Sequence, residues 1–306
     1  MKSLVGYTGF VGSNLAAASD FDGLYNSRNI REAFDTHPDL LIYAGLRAEK
    51  YLANTFPEKD LELIREAEEN IEKIDPKKLV LISTIDVFKD PNGADENTAI
   101  ETEGLHPYGY DRYLLEEWVR EKHPDALIVR LPGLFGKNIK KNFIYDYIHV
   151  IPAMLKEEKF KELSSADARL KNWYVDNGNG FYKADIREEE REEAKKAFEA
   201  LGFSALNFTD SRSVYQFYDL SRLYKDIEVL LENDIRLFHP ATEPVSAGEV
   251  YRYLTGKDFV NEVAKVPAYY DYRTIHSSLF GRSDGYIASK EEVLKAIKDF
   301  TEGEKR

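Results

Sequence analysis

The residues in this chain best suited to chemistry are a phenol, a cation and a hydroxyl. Tyr108 and Arg112 are four apart in Pro107-Tyr108-Gly109-Tyr110-Asp111-Arg112, so on a helix they share a face. An ordinary tyrosine titrates near pH 10. A unit charge at ~4 Å is worth about 4 kcal/mol at an effective dielectric of about 20, which is roughly three pK units. Arg112 is therefore expected to poise the Tyr108 phenol near neutrality as an acid–base group. Taken alone, Tyr-x-x-x-Arg is common, and its plain alternative is two ordinary helix residues. Upstream, the apolar run Leu79 to Ile82 ends in Ser83-Thr84-Ile85-Asp86-Val87-Phe88, which puts two hydroxyls and an acid just past a strand.

A second pattern lies at the N-terminus. Leu4-Val5 leads into Gly6-Tyr7-Thr8-Gly9-Phe10-Val11-Gly12, and Val11 to Ala18 reads as a helix. Glycines there let the backbone turn tightly and let a diphosphate approach the amides. The helix that follows aims its positive end at the same place. A bare Gly-rich turn is the alternative, but a strand before it and a helix after it are the context a dinucleotide site requires. The second strand ends in Tyr25-Asn26-Ser27-Arg28-Asn29, with no acid to hold ribose hydroxyls. Arg28 is instead placed to face a 2′-phosphate, which leans toward NADP; a surface arginine is the equal alternative.

These residues need a frame. Apolar runs alternate with helical patterns through the first half: Gly23 to Asn26, Leu40 to Ala44, Leu79 to Ile82 and Ala126 to Arg130 read as strands, and Asp60 to Ile74 and Tyr110 to Arg120 as helices. Leu61, Ile64, Ala67, Ile71 and Ile74 fall near a 3.6 period, and Glu69 and Lys73 form an i,i+4 pair. Alternation at this spacing predicts βαβ units and a parallel sheet. Beyond about Gly136 the pattern changes. Asn172 to Val175 and Gly180 to Ala184 read as strands around an Asn-Gly turn, Arg187 to Leu201 as a helix whose charge run is a solvated face, Tyr215 to Leu231 as a strand entering a helix, and Ser289 to Phe300 as a terminal helix.

Composition narrows the classes. The chain has 306 residues and no cysteine, which excludes disulfides, thiolate metal sites and a Cys nucleophile. Its 42 Lys and Arg against 55 Asp and Glu give a net charge of −13, opposite in sign to the footprint of a nucleic-acid binder. The mean hydropathy is −0.50, and no apolar run approaches the ~20 residues of a membrane span. The 6 histidines are scattered without ligand spacing, so no metal site is expected.

Taken together, the motifs resemble the extended short-chain dehydrogenase/reductase family, also called the NAD-dependent epimerase/dehydratase family. Gly6, Gly9 and Gly12 match its cofactor turn, Pro38 to Gly45 its strand beside the cofactor, Ser83 to Phe88 its Ser-Thr strand end, and Arg130 to Gly136 a segment after its sixth strand. Tyr108 sits at the tyrosine of its Tyr-x-x-x-Lys motif, with Arg112 where the family has lysine. The style is closest to the dTDP-4-dehydrorhamnose reductases of that family. The missing acid at Ile85 disfavours dehydration, whereas epimerisation stays open.

The resemblance implies a fold and a site. The fold is α/β, a Rossmann-type doubly wound parallel sheet over 1–165, completed by about 206–232, with a smaller α/β substrate region over 166–306. The implied cofactor is NAD(P), NADP slightly favoured, held by Gly6, Thr8, Gly9, Phe10, Val11, Gly12, Asn26, Arg28, Ala44, Gly45, Leu46, Ser83 and Pro132. The implied catalytic group is Thr84, Tyr108 and Arg112. Asp86, Asn142 and Arg273 would bind substrate, with Lys137, Lys140, Lys141 and Arg282 as further phosphate partners. The implied activity is a reductase or epimerase of a sugar-like, nucleotide-linked substrate. A cofactor-binding sensor or assembly subunit is the alternative, because Arg112 departs from the motif. The expected partners are that small molecule and at most a second copy of the chain in a homodimer; nucleic acid and membrane are not expected, and the expected location is cytoplasmic.

Overall fold

The computed structural model describes residues 1–304. The chain divides into two compact units. The first comprises Met1–Ile139, Tyr215–Val245 and Tyr269–Ile297; the second comprises Lys140–Val214, Ser246–Ala268 and the residues from Lys298 onward.

The first unit is built on β1 (Lys2–Val5), α1 (Phe10–Ala18), β2 (Gly23–Tyr25), β3 (Leu40–Tyr43), α2 (Lys50–Thr55), α3 (Pro57–Ile74), β4 (Leu79–Thr84), α4 (Pro107–Lys122) and β5 (Leu127–Leu131). Its six-stranded sheet runs Leu237–Phe238, β5, β4, β3, β1, β2, every neighbouring pair parallel. The α/β doubly wound architecture expected from the sequence is what forms.

The alternation of strand side chains explains why both faces are covered. Leu4, Ile42, Val80, Ile82 and Val129 enter one core with Leu15 of α1 and with Leu223, Ile227 and Leu230 of the helix Leu223–Glu232. Val5, Leu41, Tyr43, Leu79, Leu81 and Ile128 enter the other with Ile64, Ala67, Ile71 and Ile74 of α3 and Leu115 and Val119 of α4. The strand order reverses at β1, whose neighbours β2 and β3 lie on opposite sides. In open α/β sheets the crevice beyond the carboxyl ends of the strands at such a reversal is where ligands bind.

The second unit has its own core. Strands Met154–Lys156 and Tyr174–Asp176 pair antiparallel with Phe181–Ala184 between them. Leu155, Phe160, Leu163, Trp173, Tyr174 and Phe198 pack together beside them, and Phe160 stacks on Tyr182 at 3.9 Å. The charged run from Arg187 resolves into a short 3₁₀ turn and the helix Arg191–Ala200, which buries only Ala194, Ala197 and Phe198. Among the described residues no helix is long and apolar enough to cross a membrane.

Candidate active site

The glycine turn after β1 is a close-packed cradle. Gly6 has φ +89°, and a Cβ there would lie 2.3 Å from the Ala44 carbonyl oxygen. A Cβ on Gly12 would lie 2.1 Å from the Gly6 carbonyl oxygen, so glycine lets α1 start against the ends of β1 and β3. Gly9 begins α1 with no side-chain cap, so no side chain competes for the first-turn N–H groups. A Cβ on Gly9 would meet only the Gly6 oxygen, at 3.2 Å. The cradle thus fits a group that must approach backbone amides closely. Thr8 is exposed, and Phe10 and Val11 are half-buried. The buried Asn14 side chain donates to the carbonyls of Phe10 and Lys137, both at 2.8 Å, and ties α1 to the loop after the strand Gly133–Phe135.

Around that cradle stand the other expected cofactor residues of this unit. Asn26 accepts the Arg28 N–H at 2.9 Å and turns the chain after β2. The Arg28 side chain is exposed. Ala44, Gly45 and Leu46 follow β3, Ser83 lies in β4 and Pro132 follows β5. Ser83 is buried and donates to Glu116 Oε1 at 2.5 Å. Its hydroxyl therefore belongs to an internal network.

Thr84 ends β4, and its Oγ1 accepts the Asp86 N–H at 3.1 Å. α4 begins three residues before its periodic pattern, because Pro107 occupies the first turn and the His106 ring accepts the Gly109 N–H at 3.0 Å. A Cβ on Gly109 would lie 2.1 Å from the Asp86 carbonyl oxygen. That contact presses the first turn of α4 against the turn after β4 and sets the Tyr108 phenol beside Thr84. The Tyr108 N–H donates to Asn54 Oδ1 of α2 at 3.0 Å.

Arg112 does not act on the phenol as the sequence suggests. Its guanidinium is buried, ion-paired with Asp60 of α3 and hydrogen-bonded to the Arg47 carbonyl at 2.8 Å. It lies over the face of the Tyr108 ring, 4.1 Å from the centroid. The Tyr108 pKa is raised, not lowered to neutrality. Burial is the largest cause, and Asp86 and Asp60 add to it against the opposing pull of Arg112 and Thr84. The simple estimate from one cation fails on desolvation and on the carboxylate that answers that cation.

Asp86 is an expected substrate residue, whereas Lys50, Asp60, Glu116 and His239 were not singled out from sequence. Asp86 pairs with Lys50 of α2 at 2.8 Å, so its carboxylate already has a cation. Glu116, fully buried, accepts from Arg130 Nη2 at 2.6 Å and from Arg120 Nη2 at 2.9 Å as well as from Ser83. Arg130 reaches His239 Nε2 at 3.3 Å. Burial, reinforced by Arg130, pushes the His239 pKa down to about 3, so this ring stays neutral. The available signal was a charge inside an apolar pattern: Asp60 one turn before Ile64 on the α3 stripe, and Arg130 within Leu-Ile-Val-Arg-Leu.

Of the residues expected to meet substrate, Asn142, Arg273 and Arg282 have partners within the protein. Asn142 belongs to the second unit and caps the helix Phe143–His149, accepting from Ile144 and Tyr145 N–H at 3.0 and 3.1 Å. Arg273 pairs with Asp271 and lies over the Tyr286 ring at 4.1 Å. Arg282 pairs with Asp284 at 2.5 Å and Glu292 at 3.4 Å. Lys137, Lys140 and Lys141 are exposed.

No protein-family model and no curated protein sequence matches this chain. Solved structures do match. A dTDP-4-dehydrorhamnose reductase from Yersinia enterocolitica has a TM-score of 0.63 at 14% identity, covering 98% of each chain. The same enzyme from Bacillus anthracis, in complex with NADP, has a TM-score of 0.63 at 17% identity, covering 99% of this chain and 97% of that one. A UDP-glucuronic acid 4-epimerase from Bacillus cereus, in complex with NAD, has a TM-score of 0.58 at 15% identity, covering 99% of both. At these identities the likeness is one of fold, and the resemblance read from the motifs agrees with it.

Proposed function

We propose that this protein is an NAD(P)-dependent reductase or epimerase of a sugar-like, nucleotide-linked substrate. The observation that carries this is the meeting of Tyr108 and Thr84 at the carboxyl end of the parallel sheet, in the unit that also holds the uncapped glycine turn of α1. Gly6, Gly9 and Gly12 would admit the cofactor diphosphate to the first-turn amides, and Arg28 would meet the 2′-phosphate of NADP. When bound, the nicotinamide supplies or receives hydride. Thr84 would hydrogen-bond the reacting oxygen, and Tyr108 would exchange a proton with that oxygen. The solved reductase from Bacillus anthracis in complex with NADP and the epimerase from Bacillus cereus in complex with NAD support both the cofactor class and the substrate class.

The test is the identity of small molecules that co-purify with the protein, read by mass spectrometry, followed by turnover across a panel of nucleotide sugars. Bound NAD(P) and hydride transfer to or from one of the panel are expected. A protein that binds neither NAD nor NADP by calorimetry overturns the reading.

A further inference from the structure

We infer that Asp60, on α3, is a positioning residue: it holds the Arg112 guanidinium against the face of the Tyr108 ring and answers its charge, and so sets the site to deliver a proton to a carbonyl oxygen instead of taking one from an alcohol. This rests on the proton-exchange role proposed for Tyr108 and goes beyond it by assigning a direction.

The geometry is specific. Asp60 and Arg112 are 6% and 3% exposed and pair with each other. The remaining contacts of the guanidinium are the Arg47 carbonyl at 2.8 Å and the Tyr108 ring at 4.1 Å, so the cation sits on the aromatic face and not at the phenol oxygen. An unanswered cation beside a phenol favours the phenolate, whereas one paired to a carboxylate in the same buried volume does so far less. The other charged or titratable groups around the ring are Asp86 beyond β4, which itself pairs with Lys50, and His106 at the start of α4, 6.3 Å away between ring centroids. Of these Asp86 also favours the protonated phenol. Asp111, the neighbour of Arg112, faces the Asp60 carboxyl as a further acid and adds no positive charge.

The chemistry balances. A carbonyl carbon takes hydride from the reduced nicotinamide while its oxygen takes the Tyr108 proton, giving the alcohol, the oxidised nicotinamide and a phenolate. Water then returns a proton to the phenolate. The opposite direction starts from the phenolate, which the buried ring disfavours and which a cation already answered by Asp60 does little to restore. The site is thereby assigned to reduction of a ketone or aldehyde on the sugar, the reductase half of the proposed function.

Carbon-13 labelling of the tyrosine ring carbon bearing oxygen reads the ionisation directly. The Tyr108 resonance is the one missing from Tyr108→Phe. In the wild type its midpoint should lie above that of an ordinary tyrosine. In Asp60→Asn its midpoint should fall by a pH unit or more, and in Asp60→Asn/Arg112→Met, which removes a neutral pair, it should return toward the wild type. A Tyr108 midpoint near neutrality in the wild type, or an unmoved midpoint in folded Asp60→Asn, overturns the inference. If Asp60→Asn does not fold, the wild-type midpoint against that of the double variant decides it: a wild type titrating a unit or more below the double variant overturns it. The titration needs neither cofactor nor substrate, so it can fail while the oxidoreductase reading stands, and the reverse.

Discussion

Tyr108 and its neighbours are where residue type and residue setting part company. The phenol, the Thr84 hydroxyl and the cation four residues on were legible because their types and spacing are local facts. The sign of the pKa shift was not, because burial decides it first and Asp86 and Asp60 add to it, and these act on the phenol only once the chain has packed around it. If Tyr108 exchanges the proton, Tyr108→Phe should abolish turnover of the nucleotide sugar while NAD(P) affinity by calorimetry changes less than about tenfold, or 1.4 kcal/mol. The phenylalanine keeps the ring and therefore the contact with Arg112. Retained turnover would remove Tyr108 from the chemistry. Arg28 offers a second test at this scale. Its exposed side chain lies past β2, where no acid stands, so Arg28→Ala should weaken NADP and leave NAD unchanged. Equal loss for both cofactors would show that Arg28 is not the reader of the 2′-phosphate.

Five of the six strands of the sheet were legible through their apolar runs. What the period left out is equally informative. α2 is short and mostly exposed, burying only Ala53, so it carries no stripe to detect, yet it supplies Lys50 and Asn54 to the site. The strand Leu237–Phe238 is two residues long and exists because β5 offers it a partner. α4 starts earlier than its stripe because a proline, a histidine cap and a close glycine contact decide its first turn, and no periodicity reports these. The start of α1 gives the element-scale prediction. Gly12 cannot take a Cβ without shifting backbone, so substitution there would damage the fold. Gly9 meets one oxygen at 3.2 Å and has an ordinary backbone angle, φ −78°. Gly9→Val should therefore fold, with a circular-dichroism spectrum like the wild type, while NAD(P) affinity falls more than about tenfold. Unchanged affinity in the folded variant would mean that the diphosphate does not lie on α1.

Across the whole molecule, the net charge of −13 and the absence of cysteine carry no information about the charges that folding buries. Asp111 shows what such burial does to stability. It is 5% exposed, and its Oδ2 has no hydrogen-bond partner. Burial first, and then the facing Asp60, push its pKa up from 3.8 to about 6. An unfolded aspartate ionises near pH 3.9, so between about pH 4 and 6 the unfolded chain has released this proton while the folded chain still holds it. By linkage the folded state loses stability as pH rises through that window, and the full cost stands at pH 7. His239 runs the other way: its folded pKa of about 3 makes the unfolded chain take up a proton first as pH falls below about 6.5. The two slopes oppose, so the wild-type profile alone would not separate them. Asp111→Asn does. The amide cannot ionise, and it keeps the shape of the carboxyl it replaces. The variant should melt about 2 °C or more above the wild type at pH 7, and the difference should shrink to nothing near pH 4. Parallel melting profiles across pH 4 to 7, or a variant less stable at pH 7, would show that the Asp111 carboxyl is not held protonated by its place between α3 and α4.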